Sequence, residues 1–258
     1  MITSNTNQQI KYISQLQKKA KLRNQDGVFV CEGRKMFEEV RVYAEASLVK
    51  AYASEEFFKE KGEAYFGGID YEVVKDSVFA SISETVTPQG IIAVVKQPVY
   101  SLEQMLKGTT VKLLMLEDLR DPGNLGTIMR TAEGAGMDGI IMSGGTVDIF
   151  NPKVVRSTMG AIFRVPFVYV DDFAGTISGL KAEGLSIFAA HLDGAEDYDK
   201  TEYTSKAAVM IGNEANGLTA ETAALADKCI IIPMSGKLES LNASVAAALF
   251  MYEMRRKM

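Results

Sequence analysis

The sequence predicts an α/β protein, a smaller α/β unit followed by a three-layer sandwich with a mainly parallel sheet. Three observations carry this expectation. From Lys112 onward, KLLMLEDL, GIIMS, FRVPFVYVD, LSIFAAHL, AAVMIGNE and CIIIPM are short aliphatic-rich runs followed by Gly, Asp, Asn or Ser, the pattern of strands buried on both faces. The helical stretches NLGTIMRTAEGA, FAGTISGLKAEG, TAETAALAD and SLNASVAAALFMYEMRRKM alternate with them, and such alternation builds a sheet covered on both faces. At roughly 100–200 residues per domain, the 258 residues suffice for one large domain or two modest ones, each with its own core.

In chain order, IKYISQLQKKAKLR spaces Ile10, Ile13, Leu16 and Ala20 at helical intervals with lysines between them, an amphipathic helix with a basic outer face. GVFVCEG is a short buried strand ending at Gly33. RKMFEEVRVYAE sets Met36, Phe37, Val40 and Tyr43 at helical spacing. SLVKAYAS, YEVVKD and GIIAVVKQP then read as strands and EEFFKEKGE and SVFASISET as helices, so residues 1–97 form an α/β unit of their own. Pro98 opens a linker over 98–111, and the second domain is expected to span 112–258.

Composition narrows the function before any motif is considered. No run of about 18 uncharged apolar residues occurs, and MITSNTNQQIKYISQ has no apolar signal-peptide core. The expectation is a soluble protein with no membrane partner. Cys31 and Cys229 lie far apart without a CxxC, and His191 has no second histidine. No metal and no disulfide framework is expected, and a reducing cytoplasm fits best. The net charge of −5 argues at face value against nucleic acid. Along the chain it is uneven: the first 41 residues hold eight basic and four acidic side chains, an excess of four, which leaves −9 for the rest. Lys18, Lys19, Lys21 and Arg23 make the first segment a candidate RNA contact, although a basic helix is more often a solvated face.

Ligands of open parallel sheets bind beyond the carboxyl ends of strands, and three loops there are unusual. In LEDLRDPGNLGTIMRTA, Pro122 and Gly123 make a turn, Asn124 and Gly126 open a helix, and Arg130 follows six residues after Asn124. An Asn at a helix entrance is ordinarily an N-cap. In VMIGNEANGL a strand runs into Gly212, Asn213 and Glu214, then Asn216 and Gly217, which suits either close backbone approach to a ligand or a sharp turn. In IIIPMSGKLESLNASVAAALF, Pro233 and Gly236 bracket a polar loop before Ser240, Leu241, Asn242 and Ser244 enter an Ala-rich helix. Ser240 and Asn242 there could be caps and no more.

Taken together and in order, N-x-G-x-x-x-R (Asn124, Gly126, Arg130), G-x-E-x-x-G (Gly212, Glu214, Gly217) and I-P-M-x-G-x-x-x-S-L-N-x-S-V-A (Ile232 to Ala246) resemble the SpoU/TrmH family of RNA ribose methyltransferases. The resemblance runs from Lys112 to Met258. More loosely, residues 1–97 are similar to the L30e-like RNA substrate-binding domain that precedes the catalytic domain in many members, chiefly through KKAKLRNQDGVFVCEG. The resemblance implies a SPOUT fold with a C-terminal trefoil knot, a homodimer through the methyltransferase domain, S-adenosylmethionine as cofactor, and methylation of a ribose 2'-oxygen in structured RNA, ribosomal or transfer RNA, with ribosomal slightly preferred. It implies that main-chain groups around Gly212, Ile232 and Leu241 hold the adenosyl part, with Met234 and Gly236 in the wrapping segment, Met210 on an apolar wall and Ser244 nearby. Arg130 becomes the catalytic arginine. Asn124 holds the ribose or Arg130, Glu214 fixes the motif loops or a neighbouring arginine, and Ser240 and Asn242 contribute hydrogen bonds near the transferred methyl.

GAGMDG, Gly134 to Gly139, fits G-x-G-x-x-G but closes a helix and leads into a strand, so a helix C-cap at Gly134 or Gly136 explains it better than dinucleotide binding. His191 is read as a strand-end residue with no role, and SGK at Ser235 to Lys237 lacks the preceding glycine of a phosphate loop. Two other classes stay open: a non-catalytic RNA-binding protein with a decayed methyltransferase domain, and a nicotinamide-dependent oxidoreductase.

Overall fold

The computed structural model describes residues 1–192 and 196–258. Packing divides them into two units, Met1–Val99 with Asp148–Phe163, and Tyr100–Val147 with Arg164–Met258.

The first unit begins with α1 (Gln8–Lys18) and α2 (Ala20–Asp26), where the periodicity predicts one helix. Lys19 is extended and breaks it. Arg23 accounts for the break: its Nη1 donates to the carbonyls of Leu16 (2.5 Å) and Gln17 (3.1 Å) at the end of α1, taking acceptors that a helix end leaves without partners. Then follow β1 (Val28–Glu32), α3 (Arg34–Tyr43), β2 (Leu48–Ser54), α4 (Glu55–Lys61), β3 (Tyr71–Val74), α5 (Asp76–Ile82) and β4 (Ile91–Lys96). They form a four-stranded sheet in the order β1-β4-β2-β3, antiparallel except for β2 with β3. Ile13, Leu16, Val30, Tyr52, Phe79 and Ile92 share its core.

The second unit opens with α6 (Leu102–Met105) and continues as β5 (Val111–Leu116), α7 (Pro122–Ala135) and β6 (Gly139–Ser143). After α8 (Pro152–Ser157), which packs with the first unit, come β7 (Phe167–Val170), α9 (Phe173–Ala182), β8 (Ser186–Ala190), β9 (Glu196–Asp197), β10 (Lys206–Ile211), α10 (Ala220–Ala223), β11 (Lys228–Ile231) and α11 (Ala243–Lys257). The strands make one seven-stranded sheet, β7-β6-β5-β10-β8-β11-β9, and every pairing in it is parallel. β5, β6 and β10 are almost wholly buried, as their apolar runs predict. β7 and β11 are partly exposed, because they lie towards the sheet margins, where less of each face is covered. Strand order runs outward in opposite directions from β5 and β10, so the loops at their carboxyl ends open at a topological switch point, where open α/β sheets bind ligands.

The segment 148–163 lies within the second domain as sequence divides the chain, but it packs in the first unit. Asp148 accepts a hydrogen bond from Arg23 Nε at 3.1 Å and pairs with its Nη2. The Phe150 ring sits 4.9 Å from that of Phe29 in β1, and Arg156 Nη1 lies 3.8 Å from the Glu32 carboxylate. Gly136, in the left-handed region at φ 67°, caps the C-terminus of α7, the conformation glycine adopts without strain. Among the described residues no helix is long and apolar enough to cross a membrane.

Candidate functional site

The three flagged loops meet. Pro122 stands at the first position of α7, and Asp121 is its N-cap, accepting from the Asn124 N–H. Asn124 is therefore not the cap that its position suggests. Its side chain is buried and free to act elsewhere: Nδ2 donates to Glu214 Oε1 at 3.0 Å, and Oδ1 accepts from Asn242 Nδ2 at 3.0 Å. Asn242 caps α11 through its Oδ1, which accepts from the Ser244 N–H and Oγ. Glu214 also accepts from the backbone N–H groups of Arg120 (3.0 Å) and Asp121 (2.9 Å). One string of hydrogen bonds, Glu214 to Asn124 to Asn242 to Ser244, thus joins the loops after β5, β10 and β11. Partial burial favours the neutral acid of Glu214, but the donors from Asn124 and the two amides outweigh it and hold the carboxyl below its usual range.

The loop after β10 is tightly folded. Gly212 allows this, since a Cβ there would come within 2.0 Å of the Gly217 backbone. Asn213 pairs with Gly217 across the turn, and its Nδ2 donates to the Asp118 carbonyl at 2.8 Å, a second tie to the β5 loop.

Beside this string lies a cavity of about 390 Å³. Ile232, Met234, Ser240 and Leu241 line it together with Glu214. Four of the expected cofactor residues do not. Met210 is fully buried and packs in the sheet core with Leu113, Ile187 and Ala208, because alternate side chains of β10 point into the layers rather than beyond the strand end. Gly212 and Gly236 also lie off the cavity wall. Ser244 is buried against Asn242.

Arg130 is exposed on α7, and its guanidinium makes no hydrogen bond or ion pair among the described residues. Lys18, Lys19 and Lys21 are exposed. Arg23 is not: at 3% exposure it is committed to Asp148 and to the end of α1, so its expected RNA contact is corrected to a structural role. Sequence reading overlooked the loop after β8, where His191 and Leu192 face the cavity, and the contributions of Ile230, Phe250 and Glu239. The rule that loops follow strand ends would have found the first of these, since His191 closes the run LSIFAA.

A volume of this size is that of a small-molecule site. Ile230, Leu218, Leu241 and Phe250 give it apolar walls for a base, and Asn213, Asn216 and Ser240 add polar groups. Among the described residues no lysine or arginine lines it, although two carboxylates do. That set fits S-adenosylmethionine, a cationic nucleoside without phosphate, and does not fit the pyrophosphate of a dinucleotide. Among the described residues no cluster of three or more His, Cys, Asp or Glu could hold a metal ion.

Comparison with known proteins agrees with this geometry. Residues 112–252 match the SpoU rRNA Methylase family, and residues 7–93 match the MRM3-like substrate binding domain. The 23S rRNA (guanosine(2553)-2'-O)-methyltransferase RlmP of Bacillus subtilis is 34% identical over 260 residues, which cover 98% of each chain. The AdoMet-bound rRNA methyltransferase from Sinorhizobium meliloti superposes with a TM-score of 0.86 at 30% identity, over 99% of this chain and 97% of that one. AviRb from Streptomyces viridochromogenes, at 24% identity and a TM-score of 0.86 over 97% of both chains, shares the fold. The ordered motifs and the parallel sheet that carries them lead to the same place: the chain belongs to the SpoU rRNA methylase family.

Proposed function

We propose that this protein transfers a methyl group from S-adenosylmethionine to a ribose 2'-oxygen of ribosomal RNA. The observation that carries the reading is the string Glu214, Asn124, Asn242, Ser244 at the edge of an apolar-walled cavity that no lysine or arginine lines among the described residues. Bound there, the cofactor supplies a methyl group on cationic sulfur. The chain's own residues align the acceptor. By tying three loops together, the string holds Ser240 and Leu241 in place before substrate arrives, and such preorganisation lowers the entropic part of the barrier. Glu214 has its oxygens occupied by three donors, so it serves as a fixed anchor and not as a proton acceptor. Arg130, with its guanidinium unengaged among the described residues, orients the RNA by bidentate contact with a phosphate flanking the target ribose. A guanidinium with a pKa above about 12 is a poor base, so we assign it positioning of the 2'-hydroxyl.

The test is to map ribose methylation in ribosomal RNA from cells with and without the gene, beginning at the position equivalent to guanosine 2553 of 23S rRNA, the nucleotide named for the Bacillus subtilis relative. One mark should vanish, and Arg130→Ala should fail to restore it, with a loss of about 100-fold or more in rate and unchanged S-adenosylmethionine affinity. An unaltered methylation map sinks the activity. If the purified protein also shows no saturable cofactor binding, the non-catalytic RNA-binding reading takes its place.

The same reading includes a homodimer. Val245 and Tyr252 are exposed on α11, with Ala248 and Leu249 between them at helical spacing, an apolar stripe of the kind that copies of a chain cover. Sedimentation at micromolar concentration should give a dimer, and a monomer would remove this element. The knot is a further part of it, visible in single-molecule pulling as a stretched length short of the full contour. Action on ribosomal RNA implies a cytoplasmic enzyme, which fractionation checks.

A further inference from the structure

Of the two carboxylates that line the cavity among the described residues, Glu214 is spent on Asn124 and the backbone of Arg120 and Asp121. Glu239 is different. It lines the same cavity from the loop before α11, is exposed, and makes no hydrogen bond or ion pair among the described residues. No lysine or arginine among the described residues shares the wall to neutralise it. An unpartnered carboxylate on the wall of a cavity that holds no basic side chain among the described residues is placed to meet a cation, since opposite charges attract even where water partly screens them.

We propose that Glu239 is a specificity residue that recognises the sulfonium charge, and so makes the cavity favour S-adenosylmethionine over its demethylated product. The inference rests on the cofactor reading above and adds the residue that tells cofactor from product. The two ligands share adenosine, α-ammonium and α-carboxylate and differ in one unit of charge. Methyl transfer turns the sulfonium into a neutral thioether, while the positive charge leaves as the proton of the 2'-hydroxyl. With that charge gone, Glu239 loses its partner and the product is held less well than the cofactor. A group that binds substrate and product unequally speeds exchange of one for the other.

The experiment is calorimetric titration of the full-length wild type and Glu239→Gln with S-adenosylmethionine, S-adenosylhomocysteine and an analogue carrying a protonated amine in place of the sulfonium. The expected result is about a tenfold loss of affinity for both cationic ligands, or about 1.4 kcal/mol, with less than a twofold change for S-adenosylhomocysteine. Retained product affinity also shows that the variant is folded. The effect should shrink as salt rises from about 0.05 M to about 0.5 M, because the residue is exposed. Parallel loss for all three ligands would overturn the proposal, since it would place Glu239 on the shared α-ammonium or in the loop's own structure. No loss for any of them would overturn it equally. A wild type that binds none of the three would break the cofactor reading and this inference with it.

Discussion

Each unit contains a carboxylate held by several donors, and the two arrangements differ in what lies beside them. In the first unit Asp148 pairs with Arg23, whose remaining donors go to the end of α1, and Glu32 takes bonds from Ser83, Thr85 and the Glu84 N–H. These networks close on the chain itself. In the second unit Glu214 is bonded as completely, but its string of partners runs along a cavity. The count of hydrogen bonds does not separate structure from function. The empty volume beside them does.

The largest effect should come from breaking the closed network. Arg23→Ala leaves Asp148 without its partner and the α1 carbonyls without their donor, a loss of about 3–5 kcal/mol, measured by urea unfolding. Activity per folded molecule should stay near the wild-type value. A variant as stable as wild type but weak in RNA binding would return Arg23 to the RNA surface.

Asn124→Ala tests the other network. It removes one donor from Glu214 and strands the Asn242 amide, costing about 1–3 kcal/mol. Here activity should fall by more than stability predicts, because Ser240 and Leu241 lose their alignment. The pH dependence has a definite sign. Glu214 is held below its ordinary 4.5, so its contribution is fully present above that value and is lost as pH falls through the lower folded one. The stability gap between wild type and Asn124→Ala should therefore be flat above about pH 5 and narrow on acidification. A gap that widened in acid would contradict the assigned bonding.

The smallest effect belongs to the exposed lysines. Replacing Lys18, Lys19 and Lys21 by Gln should leave unfolding unchanged and lower the salt slope of RNA binding by about two, at about 0.7 for each phosphate no longer neutralised. An identical slope would make them a solvated face.

Much of this was legible in the amino-acid order. Apolar runs such as KLLML and AAVMI, short and bounded by turn residues, read as strands covered on both sides, and Asn124, Glu214 and Asn242 fall in three loops that follow such runs. Hydrophobic period and loop position are local properties, so sequence alone determined the buried strands and the three loops that follow them. Pairing is not local. Whether Arg23 met solvent or Asp148, 125 residues away, whether Met210 faced core or cavity, and that Asp121 would cap α7 and release Asn124 for Glu214, were decided by tertiary structure. A side chain's role depends on which distant groups arrive beside it and how much water they displace, and neither quantity is written in its neighbours along the chain.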